Sequence, residues 1–165
     1  MILLKHILVA TDFGEPSDAA LAYGRQLART FGARLTVFHA AQDVASRGYG
    51  SEGFVFIDPD WQRQVDAAAG ERTRSLISDE DRSELGAEAV VVTAVSPAEA
   101  IAEYARRERV DLIIVGTHGR RGVKHLMMGS VAERVVRTAP CPVLTVRHPE
   151  HEFVLPDALV ALREA

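Results

Sequence analysis

Five short apolar runs punctuate the chain: Ile7–Ala10, Leu35–Phe38, Ala89–Thr93, Leu112–Val115 and Val143–Val146. They are rich in β-branched residues and nearly continuous rather than alternating, the pattern of strands covered on both faces, as in a parallel sheet. Helical periodicity fills the gaps. Ala20, Gly24, Leu27 and Phe31 recur at helical spacing with Arg25 and Arg29 on the other side, and Gly32 follows where a helix end favours glycine. The segment from Asp58 to about Ser83 is compatible with one helix, with Asp58 as cap and Pro59 as first helical residue; Gly70 and Ser78 weaken its continuity. Ser96-Pro97-Ala98-Glu99 and Ser130-Val131-Ala132-Glu133 both carry the spacing of a capping box and predict helix starts. Ala139-Pro140-Cys141-Pro142 ends the second of these helices.

Strand and helix therefore alternate, which predicts an α/β doubly wound domain with right-handed crossovers and helices on both faces. The stretch from Gln42 to Ile57, with three glycines and three aromatic residues, is longer than an ordinary connection and reads as a functional flap or a mobile segment. After His148 the spacing of Leu155, Leu159 and Leu162 predicts a short appended helix, so the expected organisation is a domain over residues 1–147 and a tail over 148–165.

Composition changes this picture little. The 165 residues carry a net charge of −4 with 47% hydrophobic residues, which argues against wholesale disorder and against a nucleic-acid-binding basic surface. Cys141 is the sole cysteine, and no cluster of cysteines, histidines or carboxylates has metal-ligand spacing. Lys5 and His6 interrupt the apolar start of the chain, and no run approaches the roughly 20 residues of a membrane helix. The expected location is cytoplasmic.

The chemistry concentrates after the fourth apolar run. Gly116-Thr117-His118-Gly119 leaves the strand, and the chain continues through Arg120, Arg121, Gly122, Lys124 and His125 to Gly129-Ser130, where a helix begins. In open parallel sheets ligands bind beyond the carboxyl ends of the strands, and a helix start offers unpaired amides and a positive dipole end to an anion. Glycines let a backbone approach a phosphate closely. Neither the P-loop nor the G-x-G-x-x-G fingerprint is present, so the residues alone point to a phosphate site without naming its owner. The basic residues of this loop read more simply as solvated surface, His39 as packing at a strand end, Cys141 as a buried structural residue, and Trp61, Phe54 and Phe56 as cover for the core.

The set Gly116-x2-Gly119-x9-Gly129-Ser130 is similar to the nucleotide-binding signature of the ATP-binding universal stress proteins. Lys5–Asp12, Gly129–Val135 and Ala139–Leu144 resemble the first strand, last helix and last strand of that family, and the resemblance spans roughly residues 3–147. It implies a flavodoxin-like three-layer α/β/α sandwich with a five-stranded parallel sheet. It also implies a dimer through the edge strand Val143–Val146 and a stress-response role as a binding or signalling module. By position, Asp12 falls beside the ribose or its metal, Ala40 where backbone groups read the adenine, and Gly116 and Gly119 along the ribose and phosphates. Gly129, Ser130 and Val131 fall at the phosphates. The implied ligand is ATP or AMP, with Mg2+ as a companion; no catalytic residue is identified. The alternatives are a slow Mg-dependent ATPase and a nucleotide-free, chaperone-like interaction protein. Gly14 departs from the family's usual serine, which leaves the capping near Asp12 open.

Overall fold

The computed structural model describes residues 1–44, 59–117 and 128–148. Five strands, β1 (His6–Ala10), β2 (Arg34–Gln42), β3 (Glu88–Ala94), β4 (Leu112–Gly116) and β5 (Val143–Val146), form one sheet in the order β3-β2-β1-β4-β5. Every pairing is parallel, with Ala10 opposite both Phe38 of β2 and Val115 of β4. The helices α1 (Glu15–Phe31), α2 (Pro59–Ser75), α3 (Asp79–Leu85), α4 (Pro97–Arg107) and α5 (Ser130–Thr138) complete a three-layer α/β/α sandwich.

The two-sided burial anticipated from the continuous apolar runs is met by two cores. Ile7, Val9, Leu35, Val37 and Ile114 pack with Ala20, Leu21 and Ala28 of α1, while Leu8, Phe38, Ile113 and Val115 pack with α4 and α5 on the other face. The α1 stripe is smaller than its neighbours for a steric reason. A Cβ on Gly24 would lie 2.3 Å from Val9 Cγ2, so a glycine allows the helix to settle directly on the sheet. Gly32 then ends α1 in the left-handed conformation (φ 63°) that favours glycine.

Residues 59–85 differ from the single helix predicted. The break falls at Leu76–Ser78 rather than at Gly70, and Ser78 caps a separate α3. The Ser78 Oγ accepts the Asp81 amide at 3.0 Å and the Asp81 carboxylate accepts the Ser78 amide at 3.1 Å, a reciprocal capping box. Arg25 fastens the break, donating to both Asp81 oxygens (3.0 and 3.1 Å) and to the Leu76 carbonyl (2.6 Å). Burial pushes the Asp81 carboxyl pKa up, but the Ser78 amide and Arg25 outweigh it, leaving it below the usual carboxylate range. Ile77 can then turn into the core at 4% exposure. Asp58, the expected cap of α2, lies outside the described residues. Trp61, expected over the core, is 54% exposed on the solvent side of the first turn of α2.

The amino edge of the sheet holds a polar network that runs from the buried His6 and Thr36 out to exposed Arg34 and Glu88. His6 Nδ1 accepts from Arg34 Nη2 at 2.8 Å, which places the ring proton on Nε2, and Nε2 donates to Thr36 Oγ1 at 2.8 Å. Thr36 donates in turn to Glu88 Oε1 at 3.0 Å, so three adjacent strands share one chain of hydrogen bonds. Burial and then the charge of Arg34 lower the His6 pKa, keeping the ring neutral.

Candidate functional site

The strand order reverses direction between β1 and β4, and the chain brings its candidate residues to the carboxyl edge at that place. Asp12 follows β1, Ala40 lies near the end of β2, and Gly116 closes β4. Ala10, Ala40 and Met128 pack on the same face as α4 and α5. The start of α5 is seated on this edge by the Gly129 amide, which donates to the Thr117 carbonyl at 2.5 Å, while the Thr117 amide donates to the Val146 carbonyl at 2.7 Å. Gly119, the loop cations Arg120, Arg121 and Lys124, and His118 and His125 lie outside the described residues, as do Phe54, Phe56 and the tail predicted after His148.

Ser130 is not the cap of α5 that its capping-box spacing predicts. Gly129 takes that position in extended conformation (φ −71°, ψ 152°) without a side-chain cap, and Ser130 is the first helical residue and exposed. The Gly129 amide is taken up by Thr117, and the helical bonds begin at the Gly129 carbonyl. The Glu133 amide donates to the Gly129 carbonyl at 2.9 Å as the first helical bond, and the first-turn amides of Ser130 and Val131 have no carbonyl within the helix to meet. An exposed hydroxyl and these amides, at the positive end of the α5 dipole, form a donor set suited to an anion. Ser96 does cap α4, again without a side-chain bond.

Gly116 answers to packing as well as to any ligand. A Cβ there would lie 2.7 Å from the Pro16 carbonyl carbon and 2.8 Å from both Pro16 Cβ and the Pro16 oxygen. The close approach that glycine permits at this position is therefore between β4 and the first turn of α1.

The turn from β1 into α1 is fastened by residues that sequence analysis did not single out for it. Thr11 Oγ1 accepts the Phe13 amide at 2.9 Å and meets Ser17 Oγ at 3.1 Å, and Ser17 Oγ donates to the Gly14 carbonyl at 2.8 Å. Thr11 and Ser17 are 7% and 4% exposed. His39 does more than pack at a strand end: its Nδ1–H donates to the Thr11 carbonyl at 2.8 Å, and its ring lies against Phe13. No periodicity marks such contacts, because they join a turn to a strand 28 residues away. Gly14 caps α1 by its backbone, and its amide donates to Asp12 Oδ1 at 3.1 Å. A Cβ on Gly14 would stand 3.1 Å from that same oxygen, so this glycine gives the Asp12 carboxylate room to lean over the turn.

Cys141 is half-buried, and burial foremost, with Asp111 next, raises its thiol pKa, which opposes thiolate chemistry. Among the described residues no group of histidines, cysteines and carboxylates could hold a metal by itself, and no helix is long and apolar enough to cross a membrane.

A parallel α/β sandwich with an anion-ready helix start at its switch point defines the class of the protein. The family follows from comparison. The model of the universal stress protein family matches residues 4–147, and the chain belongs to that family. It is 34% identical over 145 residues to a universal stress protein of Thermus aquaticus, covering 88% of this chain and all of that one. Among solved structures it resembles the universal stress protein UspA of Lactobacillus plantarum, with a TM-score of 0.71 at 23% identity, covering 89% of this chain and all of that one. A universal stress protein in complex with cAMP has a TM-score of 0.56 at 22% identity, covering 88% of this chain and 98% of that one. One from Archaeoglobus fulgidus in complex with dAMP has a TM-score of 0.52 at 19% identity, covering 88% of this chain and 99% of that one.

Proposed function

We propose that the protein binds an adenine nucleotide, ATP or AMP, at the carboxyl edge of the sheet and acts as a dimeric binding or signalling module. The observation that carries this reading is the seating of α5. Its amino end sits on the end of β4 through the Gly129–Thr117 bond, on the edge that Asp12 and Ala40 also reach. In this reading Gly129, Ser130 and Val131 receive the phosphates through amides and a hydroxyl. Gly116 and Gly119 pass along the ribose, Ala40 offers backbone groups to the adenine, and Asp12 faces the ribose or a bound Mg2+. The cAMP and dAMP complexes of the two structural neighbours support an adenine ligand. Mg2+, when bound, supplies charge neutralisation of the phosphates; the chain's own part is to hold and orient them.

Among the described residues β5 pairs with β4 alone, and a sheet edge left uncovered invites pairing with a second copy. Occupancy of the site would then be read by a partner through the dimer or the Gln42–Ile57 segment. Native mass spectrometry of freshly purified protein tests the nucleotide directly. The expected spectrum shows a dimer carrying adenine nucleotide, and Asp12→Ala loses the nucleotide while remaining folded. A folded wild type that neither retains nor rebinds any adenine nucleotide contradicts the reading.

A further inference from the structure

The turn that carries Asp12 contains a bulky residue in a backbone conformation that bulky residues avoid. Phe13 has φ 63°, in the left-handed region where Cβ crowds the following carbonyl and glycine is the usual occupant. Such a conformation persists only where its surroundings over-determine it. Here they do so from two other elements. The His39 ring, on β2, lies 4.3 Å from the Phe13 ring, and the Arg72 guanidinium, on α2, lies over that ring at 4.3 Å from its centroid. The Phe13 amide is held by Thr11 Oγ1, whose own carbonyl is held by His39. The left-handed residue reverses the chain, and the Gly14 amide that follows comes back to Asp12 Oδ1 at 3.1 Å while also reaching Ser17 Oγ at 3.2 Å.

We propose that Phe13 is a positioning residue: the His39–Phe13–Arg72 stack holds residue 13 in the left-handed conformation and thereby fixes the Asp12 carboxylate at the mouth of the site. The inference rests on the reading of Asp12 as a nucleotide contact, and it assigns β2 and α2 a share in building that contact. With the stack gone, an L-residue at position 13 relaxes to negative φ and takes the Gly14 amide off Asp12. Glycine at the same position keeps the reversed turn without strain.

Phe13→Ala and Phe13→Gly therefore separate positioning from packing. Both remove the ring, and a purely packing role makes glycine no better than alanine. The readouts are hydrogen exchange of the Gly14 amide by NMR and calorimetric titration with ATP and magnesium. The expected result is faster Gly14 exchange and weaker ATP binding in Phe13→Ala, by roughly five- to thirtyfold, the equivalent of the left-handed penalty. Phe13→Gly stays much nearer wild type in both. Arg72→Met moves both readouts in the alanine direction by roughly two- to fivefold, the scale of an exposed cation–aromatic contact. Glycine equal to or worse than alanine in Gly14 exchange overturns the proposal. If wild type fails to bind ATP but the glycine-over-alanine order holds in Gly14 exchange, the nucleotide reading falls and the hold of Phe13 on Asp12 stands.

Discussion

Gly116 and Pro16 touch so closely that a single methyl group does not fit between them: a Cβ on Gly116 would sit 2.7 Å from the Pro16 carbonyl carbon. Because the atom opposed is backbone, the clash cannot be relieved by a rotamer change. Gly116→Ala should destabilise the fold by about 1–3 kcal/mol, the ordinary range for overpacking, and lower Tm by roughly 2–4 °C per kcal/mol for a domain of this size. Thermal unfolding followed by circular dichroism checks this. An unchanged Tm would mean that β4 and α1 part easily, and that the glycine is there for a ligand alone.

His6 makes stability depend on pH. Its folded pKa is lowered, by burial first and by Arg34 next, with Glu108, Glu88 and Asp111 opposing. The unfolded chain therefore binds more protons than the folded one once pH falls through the ordinary histidine value of about 6.5. The stabilisation is whole above that pH and is lost progressively below it, down to the lowered folded pKa. A protonated ring also loses its role as acceptor for Arg34. His6→Gln should flatten the fall in urea-unfolding stability between neutral and mildly acidic pH; an equally steep fall in the variant would place the acid sensitivity elsewhere.

The edge strand can be tested without harming the sheet, provided the right residue is chosen. The Pro142 and Val146 carbonyls accept from Ile113 and Thr117, so even-numbered residues of β5 direct their backbone groups to β4. Leu144 belongs to that inward set, and Thr145 directs its amide to the open edge. Thr145→Pro should shift the proposed dimer to monomer in light scattering while its circular dichroism is kept, whereas Leu144→Pro attacks the β4–β5 ladder itself. A Thr145→Pro protein that remains dimeric would remove β5 from the interface.

The sheet was legible in the sequence because its signals are local. Short, nearly continuous apolar runs at Ile7–Ala10 and Leu112–Val115 read as strands buried on both faces, and their order with the intervening helices leaves few topologies. Gly32 was legible as a helix end for the same local reason. The break at Leu76–Ser78 was only half legible: Ser78 was one of two residues that weakened the helix's continuity, and nothing local chose it over Gly70. What settles the matter is Arg25, 56 residues away from Asp81. Ser130 shows the same limit at smaller scale: its sequence carries a cap signal, but the helix starts one residue earlier, with Gly129 as cap. At the site, Asp12, Ala40, Gly116 and Gly129 were named from a family pattern. The residues that fasten the turn carrying Asp12, namely Thr11, Phe13, Ser17 and His39, act through a geometry that no spacing rule encodes.

The amino end of α5 is the proposed seat of the phosphates. Gly129 has φ −71° and ψ 152°, a conformation open to any residue, so Gly129→Val adds bulk at the helix start without imposing backbone strain. Calorimetric titration of wild type and Gly129→Val with ATP and magnesium is the most direct measurement. Saturable binding to wild type, and its loss by tenfold or more (about 1.4 kcal/mol) in a variant that remains folded, are the expected results. Equal binding by both proteins, or none by a folded wild type, would contradict the proposal.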